Sequence, residues 1–257
     1  MFASGFSWAH LIMPALGLDS VLEAAGLATD THIVYHAWLA AFALIVFSVV
    51  ARMGLEKAKK RQGIEKYFAD EKFSALTLAE VLADGWLGLM RDLLSRADAK
   101  LFFPLVAGLF TYIFTNNIMS VIPGFLPATD NANTNIGMAV IVFVVFNFVG
   151  LKRDAVGYIK HMMGPVLLLA APLLVLESFS LMVRMGTLTL RLTGNMFGDH
   201  TVFNVMSSLV GSLWFIPVPI PFLGLAIFVS FMQAFVFSLL TAVYIAGAVP
   251  HHDDEHH

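Results

Sequence analysis

The apolar second half of the chain holds a few ionisable side chains, and their types suit the movement and control of protons. A charged side chain at the centre of a bilayer costs roughly 2.5–3.5 kcal/mol. Several such groups within one apolar tract therefore require a reason, and the usual reason is a path for ions or protons. Between residues 166 and 250 the groups are Glu177, Arg184, Arg191, Asp199 and His200, with Tyr244 only weakly ionisable.

Three of these residues have distinct chemical capacities. Arginine keeps its proton at any working pH. Arg191 therefore cannot relay a proton, but it can act as a fixed barrier that repels a proton and attracts a passing carboxylate. Glu177 can bind and release a proton where burial favours its neutral form. His200 titrates near neutrality and suits a relay.

Plainer roles stay open for the same residues. Arg184 can extend its stem along apolar surface and place its charge in the cytoplasmic interface. Glu177 can serve only as the ion-pair partner of Arg184, and Arg191 can be a structural charge. Asp199 can cap or bend a helix, and His200 can be a satisfied interior histidine.

The spacing of these residues indicates how the tract folds. At about 100° per residue on a helical wheel, Glu177, Arg184 and Asn195 all fall within about 40° of Arg191. His200 falls on the opposite face, near 180°. The tract from 165 to 215 has 51 residues, or about 76 Å if wholly helical. Hydropathy alone favours two spans with a hidden turn, but a polar stripe of this length favours one continuous, tilted helix.

Composition places the chain in a membrane. Hydrophobic residues make up 58% of the 257 residues and charged residues 13%, against about 25% charged in soluble domains. The mean hydropathy is +0.80. The net charge of −3 gives no indication of a nucleic-acid partner, and the lack of cysteine excludes disulfides and thiolate sites. Nucleotide-binding glycine loops and metalloprotease motifs are absent from the sequence, so we expect no cofactor and no metal site.

Basic residues predict the orientation of the spans. A basic run at 52–61 follows the first apolar stretch, and Lys152, Arg153 and Lys160 follow the third, whereas 123–135 contains no Lys or Arg. By the positive-inside rule the basic segments are cytoplasmic and the N-terminus lies outside. We predict an outer segment at 1–32, transmembrane helices at 33–53, 101–122 and 136–151, an amphipathic interfacial helix at 76–94, long helices at 165–215 and 222–248, and a tail at 249–257.

Several motifs resemble subunit a of the F-type ATP synthases. The run at 190–200, Leu-Arg-Leu-Thr-Gly-Asn-Met-Phe-Gly-Asp-His, is similar to the family signature, in which an essential arginine precedes a Gly-Asn-Met segment. Glu177 stands at the position of the family's upstream carboxylate. Gln233 lies in a glutamine-aromatic stretch typical of the last helix, and 130–134 resembles the family's Asp-x-Asn-x-Thr loop.

The resemblance implies a fold and a mechanism. It implies an all-α, polytopic protein with about five membrane-embedded helices, the last two forming a long tilted hairpin beside a ring of c subunits. Protons would enter by one aqueous half-channel, ride on the ring and leave by a second, with Arg191 between the two. The implied outlet residue is Glu177, Gln233 would face Arg191, and the implied inlet residues are Asn195, His200, Asp199 and Asp130.

The resemblance also implies partners and a location. The chain would be a non-catalytic subunit that binds the c ring, the peripheral-stalk b subunits and the rest of the synthase. A bacterial inner membrane is expected, with a cytoplasmic C-terminus; a thylakoid is the alternative. One departure is Ala226, seven positions before Gln233, where many relatives carry an ionisable residue. A proton-coupled secondary transporter is the alternative function, although the inverted repeats typical of transporters are not evident.

Overall fold

The fold is all-α, as the sequence predicts. The computed structural model describes residues 31–59, 74–120, 122, 125, 127–163, 170–210 and 219–249. Every regular element in these ranges is a helix. In chain order they are α1 (Thr31–Lys59), α2 (Ala75–Leu93), α3 (Arg96–Met119), a short 3-10 helix (Ala128–Asp130), α4 (Ala132–Met163), α5 (Ala170–Val210) and α6 (Pro219–Ala248).

Several of these helices can cross a membrane, so the chain is a multi-pass membrane protein. In the described residues, four helices are long and apolar enough to cross a membrane. They are Val34–Ala58, Arg96–Met119, Ala132–Lys160 and Gly224–Ala248. The prediction of about five embedded helices counts α5, which carries the charged stripe, as well.

The long apolar tract folds as one helix where the structure describes it. α5 has 41 residues, about 60 Å at 1.5 Å per residue. No turn interrupts it between Ala170 and Val210, so the polar stripe was a better guide than hydropathy. The ends of the tract, at 164–169 and 211–218, lie outside the described residues, as do 1–30, 60–73 and 250–257.

A corner divides α4 near its end. Asp154 leaves the helical conformation (φ −152°, ψ 86°), and its Oδ1 accepts a hydrogen bond from the Gly157 amide at 2.9 Å. Asp154 therefore caps a second helical segment. The Tyr158 ring folds back onto Gly150, where a Cβ atom would come within 2.6 Å of the ring. The Tyr158 hydroxyl donates to Asn147 Oδ1 at 3.0 Å, which fixes the corner.

Small and aromatic residues hold the centre of the bundle together. α6 packs chiefly against α3, and α5 against α4. The buried face of α6 includes Ser230, Ala234 and Ser238, and small residues let membrane helices approach closely. α2 is amphipathic as predicted, and the ring of its buried Trp86 packs at a tilt against Phe110 of α3, with 5.3 Å between the ring centroids.

An ion pair joins α3 and α4 at one end of the bundle. Arg153 Nη1 donates to Asp98 Oδ2 at 3.0 Å, and Nη2 contacts the other carboxylate oxygen. The Ser95 hydroxyl also donates to this carboxylate, at 2.8 Å. The Asp98 side chain is 9% exposed, so most of its hydrogen-bonding capacity is met by protein groups. We call this the Asp98 end of the bundle.

Replacing Asp98 by asparagine should destabilise the protein. The Asp98→Asn variant leaves the Arg153 guanidinium without its carboxylate. We expect a loss of about 1–3 kcal/mol, less than for a fully buried pair because Arg153 is 35% exposed. The midpoint of thermal unfolding in mild detergent measures the effect. Asp92→Asn, an exposed carboxylate on α2, is the control; equal midpoints for both variants would contradict the structural role of the pair.

Candidate functional site

The predicted polar stripe lies on one side of α5, and its arginines are exposed. Arg184 and Arg191 are exposed, and Glu177 and Asn195 are half-buried. Leu192, next to Arg191 in sequence, is 2% exposed and packs into the bundle. The charged face of α5 is therefore presented outward from this chain, toward lipid or another subunit.

Buried asparagines fix the loop between α3 and α4. Asn116 and Asn117 lie at the end of α3 and are buried. Asn116 Oδ1 accepts a hydrogen bond from the Ala128 amide at 3.3 Å, and the Thr129 hydroxyl donates to Asn117 Oδ1 at 2.8 Å. Two side-chain amides thus hold the backbone and side chain of the short 3-10 helix against α3.

Asn135 connects this loop to α5. Its side chain is fully buried in the first turn of α4, and its Nδ2 donates to the Thr129 carbonyl at 2.8 Å. The same nitrogen donates to the Thr193 hydroxyl at 2.9 Å. Thr193 follows Arg191 by two residues, about 3 Å along the helix axis. We call this the Asn135 end of the bundle.

The other half of α5 runs beside the corner of α4. The negative charge of Glu177 acts on the hydroxyl group of Tyr158, which lies just beyond the Asp154 corner. Since Arg153 belongs to the Asp98 end and Thr193 to the Asn135 end, α5 runs from the first end to the second. Glu177 and Arg191 are 14 residues apart, about 21 Å along the helix.

α6 lies within electrostatic reach of the stripe. Both Arg184 and Arg191 act on the hydroxyl group of Tyr244, whose ring packs 5.9 Å from that of Phe146. Gln233 precedes Tyr244 by 11 residues, so the two side chains share a face of α6 to within about 20°. Gln233 is half-buried.

The structure leaves some expected contacts unmade. Among the residues it describes, Gln233 makes no hydrogen bond to Arg191, and Glu177 makes no ion pair with Arg184. Asp199 and His200 lie on α5 and Asp130 ends the 3-10 helix, but their side chains are outside the described part of the structure.

Sequence reasoning missed the residues that anchor the stripe. Thr193 was seen only as part of the arginine motif, Asn135 only as a loop boundary, and Tyr158 not at all. A buried asparagine at the start of a membrane helix was the available signal, because such a group needs a partner. No group of three metal-ligating side chains occurs in the ranges that the structure covers.

Comparison with known proteins identifies the family of this chain. A family model described as ATP synthase A chain matches residues 33–246. ATP synthase subunit a of Bdellovibrio bacteriovorus is 40% identical over 213 residues, covering 81% of this chain and 91% of that protein. The subunit a of Sorangium cellulosum is 39% identical over 193 residues, covering 75% and 73%. That of Desulfosudis oleivorans is 33% identical over 242 residues, covering 93% and 98%.

The family match spans most of the helical bundle, including the arginine stripe of α5 and most of α6. These relatives all carry the name ATP synthase subunit a and come from bacteria. The chain belongs to the ATP synthase subunit a family, as a non-catalytic, proton-translocating subunit of the membrane sector of the synthase.

Proposed function

We propose that this chain guides protons through two aqueous half-channels beside a ring of c subunits, and that Arg191 separates the two. The observation that carries the proposal is the outward exposure of Arg191 on α5. A guanidinium cannot deprotonate, so it repels a proton that would cross directly. It also attracts a carboxylate of the ring, which releases its proton to one channel before it passes.

The Asp98 end is proposed as the cytoplasmic side and the outlet. Lys152 and Arg153 lie at this end, and basic residues favour the cytoplasmic face. Glu177 lies within electrostatic reach of Tyr158 at this end, and it would carry protons out. This orientation puts the N-terminus outside and the C-terminus in the cytoplasm of a bacterial inner membrane.

The Asn135 end is proposed as the inlet side. Asn195, His200, Asp199 and Asp130 belong to the part of the chain nearest this end, and Gln233 would face Arg191 from α6. Because Ala226 offers no ionisable group, the inlet would depend on His200 with its neighbours and on water. The buried asparagines at this end support the proposal, since they keep polar groups close to α5.

The exposed face of α5 suits contact with the c ring. Gly194 is exposed, and a Cβ atom built there meets nothing within 4 Å. Small residues on such a face let a second helix approach closely. Each proton that falls through 100 mV releases about 2.3 kcal/mol, so several protons per turn of the ring can drive synthesis. The peripheral-stalk b subunits would hold this chain fixed against the rotation.

Arg191→Ala should abolish proton pumping while the synthase still assembles. Without the fixed charge, nothing prevents a proton from passing directly between the half-channels. ATP-driven acidification of inverted membrane vesicles measures pumping, and membrane-bound ATP hydrolysis measures assembly. Arg184→Ala is the matched control, since Arg184 is also exposed on the same stripe; we expect a mild effect. Full coupled pumping by an assembled Arg191→Ala synthase would overturn the barrier role.

His200→Ala should slow pumping more than Tyr244→Phe does. A histidine relay loses its titratable group on replacement, whereas phenylalanine keeps the ring that packs near Phe146. Initial rates of acidification in the same vesicles compare the two variants at equal synthase content. Equal, mild effects would count against a relay at His200.

A further inference from the structure

The hydrogen bond between Asn135 and Thr193 is placed where it can control Arg191. Asn135 Nδ2 uses one hydrogen on the Thr129 carbonyl and the other on the Thr193 hydroxyl. Thr129 is itself bonded to Asn117 on α3. A chain of polar groups therefore runs from α3 through the loop and α4 to α5. Only the amide nitrogen of Asn135 makes these bonds, since its Oδ1 atom is buried without a hydrogen-bond partner among the residues that the structure describes.

Apolar packing alone cannot set the rotation of a membrane helix. Lipid tails are as apolar as leucine, so turning a leucine such as Leu192 from the bundle toward lipid has little hydrophobic penalty. A hydrogen bond between side chains is directional, and breaking it in an apolar surrounding leaves polar groups unsatisfied. The rotation of α5 therefore depends on polar contacts more than on its leucines.

Thr193 has the right position on α5 for this control. It follows Arg191 by two residues, which places it about 200° around the helix. Holding Thr193 inward against Asn135 thus turns Arg191 outward. A rotation of about 20° would displace a group about 5 Å from the helix axis by about 2 Å. That distance is enough to open a direct contact with a neighbouring subunit.

We propose that Asn135 and Thr193 form an interhelical clamp that fixes the rotation of α5 and so holds Arg191 against its partner. Both are positioning residues, since they act through Arg191. The proposal rests on the barrier function proposed above for Arg191. Loss of the clamp lets protons pass without rotation, so ATP hydrolysis continues while less of it is coupled to pumping.

Thr193→Val tests the clamp, because valine keeps the shape of threonine and removes the hydroxyl. In the whole synthase in inverted vesicles we expect the ratio of proton pumping to ATP hydrolysis to fall about fivefold, the size expected for one lost hydrogen bond. Thr193→Ser keeps the hydroxyl and should restore the ratio. If Thr193 acts only in assembly, Thr193→Val lowers proton pumping and ATP hydrolysis by the same factor and the ratio stays unchanged. An unchanged ratio therefore overturns the proposal.

Thr111→Val is the matched control for hydroxyl removal. Thr111 is half-buried, and its hydroxyl bonds to a carbonyl of its own helix, Ala107, at 2.7 Å. It joins no second helix through that bond, so the ratio should stay as in the wild type. A fall equal to that of Thr193→Val would overturn the interhelical explanation.

A double variant tests whether the two residues act together. Asn135→Ala should lower the ratio as Thr193→Val does, and combining them should add little, because either change breaks the same bond. If the fold-reductions of the two single variants multiplied in the double variant, the two residues would act independently, which would contradict a shared clamp. If Asn135→Ala reduces the amount of synthase, the double variant Asn135→Cys, Thr193→Cys replaces it. This chain has no native cysteine, so an added oxidant joins the two thiols in a disulfide and a reductant breaks it. The ratio should rise on cross-linking and fall on reduction; no difference would overturn the proposal.

The same vesicles separate failure of the clamp from failure of the barrier. Coupled pumping by Arg191→Ala would refute the function proposed for Arg191. If Arg191→Ala hydrolyses ATP without pumping protons, and Thr193→Val keeps the wild-type ratio of pumping to hydrolysis, the clamp is refuted. The barrier role of Arg191 is then still supported.

Discussion

A permanent positive charge on the exposed face of a helix in a membrane protein is the constraint on which the rest of this structure depends. Arg191 keeps its proton at any working pH, and placing such a charge within a membrane costs free energy. It can act as a barrier only if the rotation of α5 is fixed so that its side chain points at the partner. Lipid offers no hydrophobic force to orient a helix. Directional polar contacts must supply the control, and the structure provides them within two residues of the arginine, at Thr193.

The bundle is held at both ends by polar groups and in its middle by close packing. The Asp98–Arg153 pair joins α3 and α4 at one end, and the asparagine network joins α3, α4 and α5 at the other. Between them the small residues of α6 let it pack closely on α3. This arrangement leaves the arginines of the α5 stripe uncovered by the described part of the chain.

Sequence patterns predicted the helices better than the contacts between them. The charged stripe predicted that α5 is continuous, because the spacing of a stripe is a periodic property of the sequence. The orientation of the spans stays a prediction. The Asn135–Thr193 bond joins positions 58 residues apart, and no local pattern in one sequence specifies such a pairing. The Asp154 corner did have a local signal, because aspartate is a common helix-capping residue and Asp154 follows Lys152 and Arg153 at the end of an apolar run. The individual roles of Glu177, His200, Asp199, Asp130 and Gln233 stay predictions.

We propose that the Arg191 face of α5 meets the c ring, and a photo-cross-link from a single site on that face tests this contact. A cysteine at Gly194, which is exposed and has open space for a side chain, is labelled with a photoactivatable maleimide in the intact synthase. A cysteine at Val144, 56% exposed on α4, serves as the comparison. We expect illumination to cross-link the c subunit to position 194 and not to position 144. Products with lipid alone from position 194, in a synthase that still pumps, would contradict it.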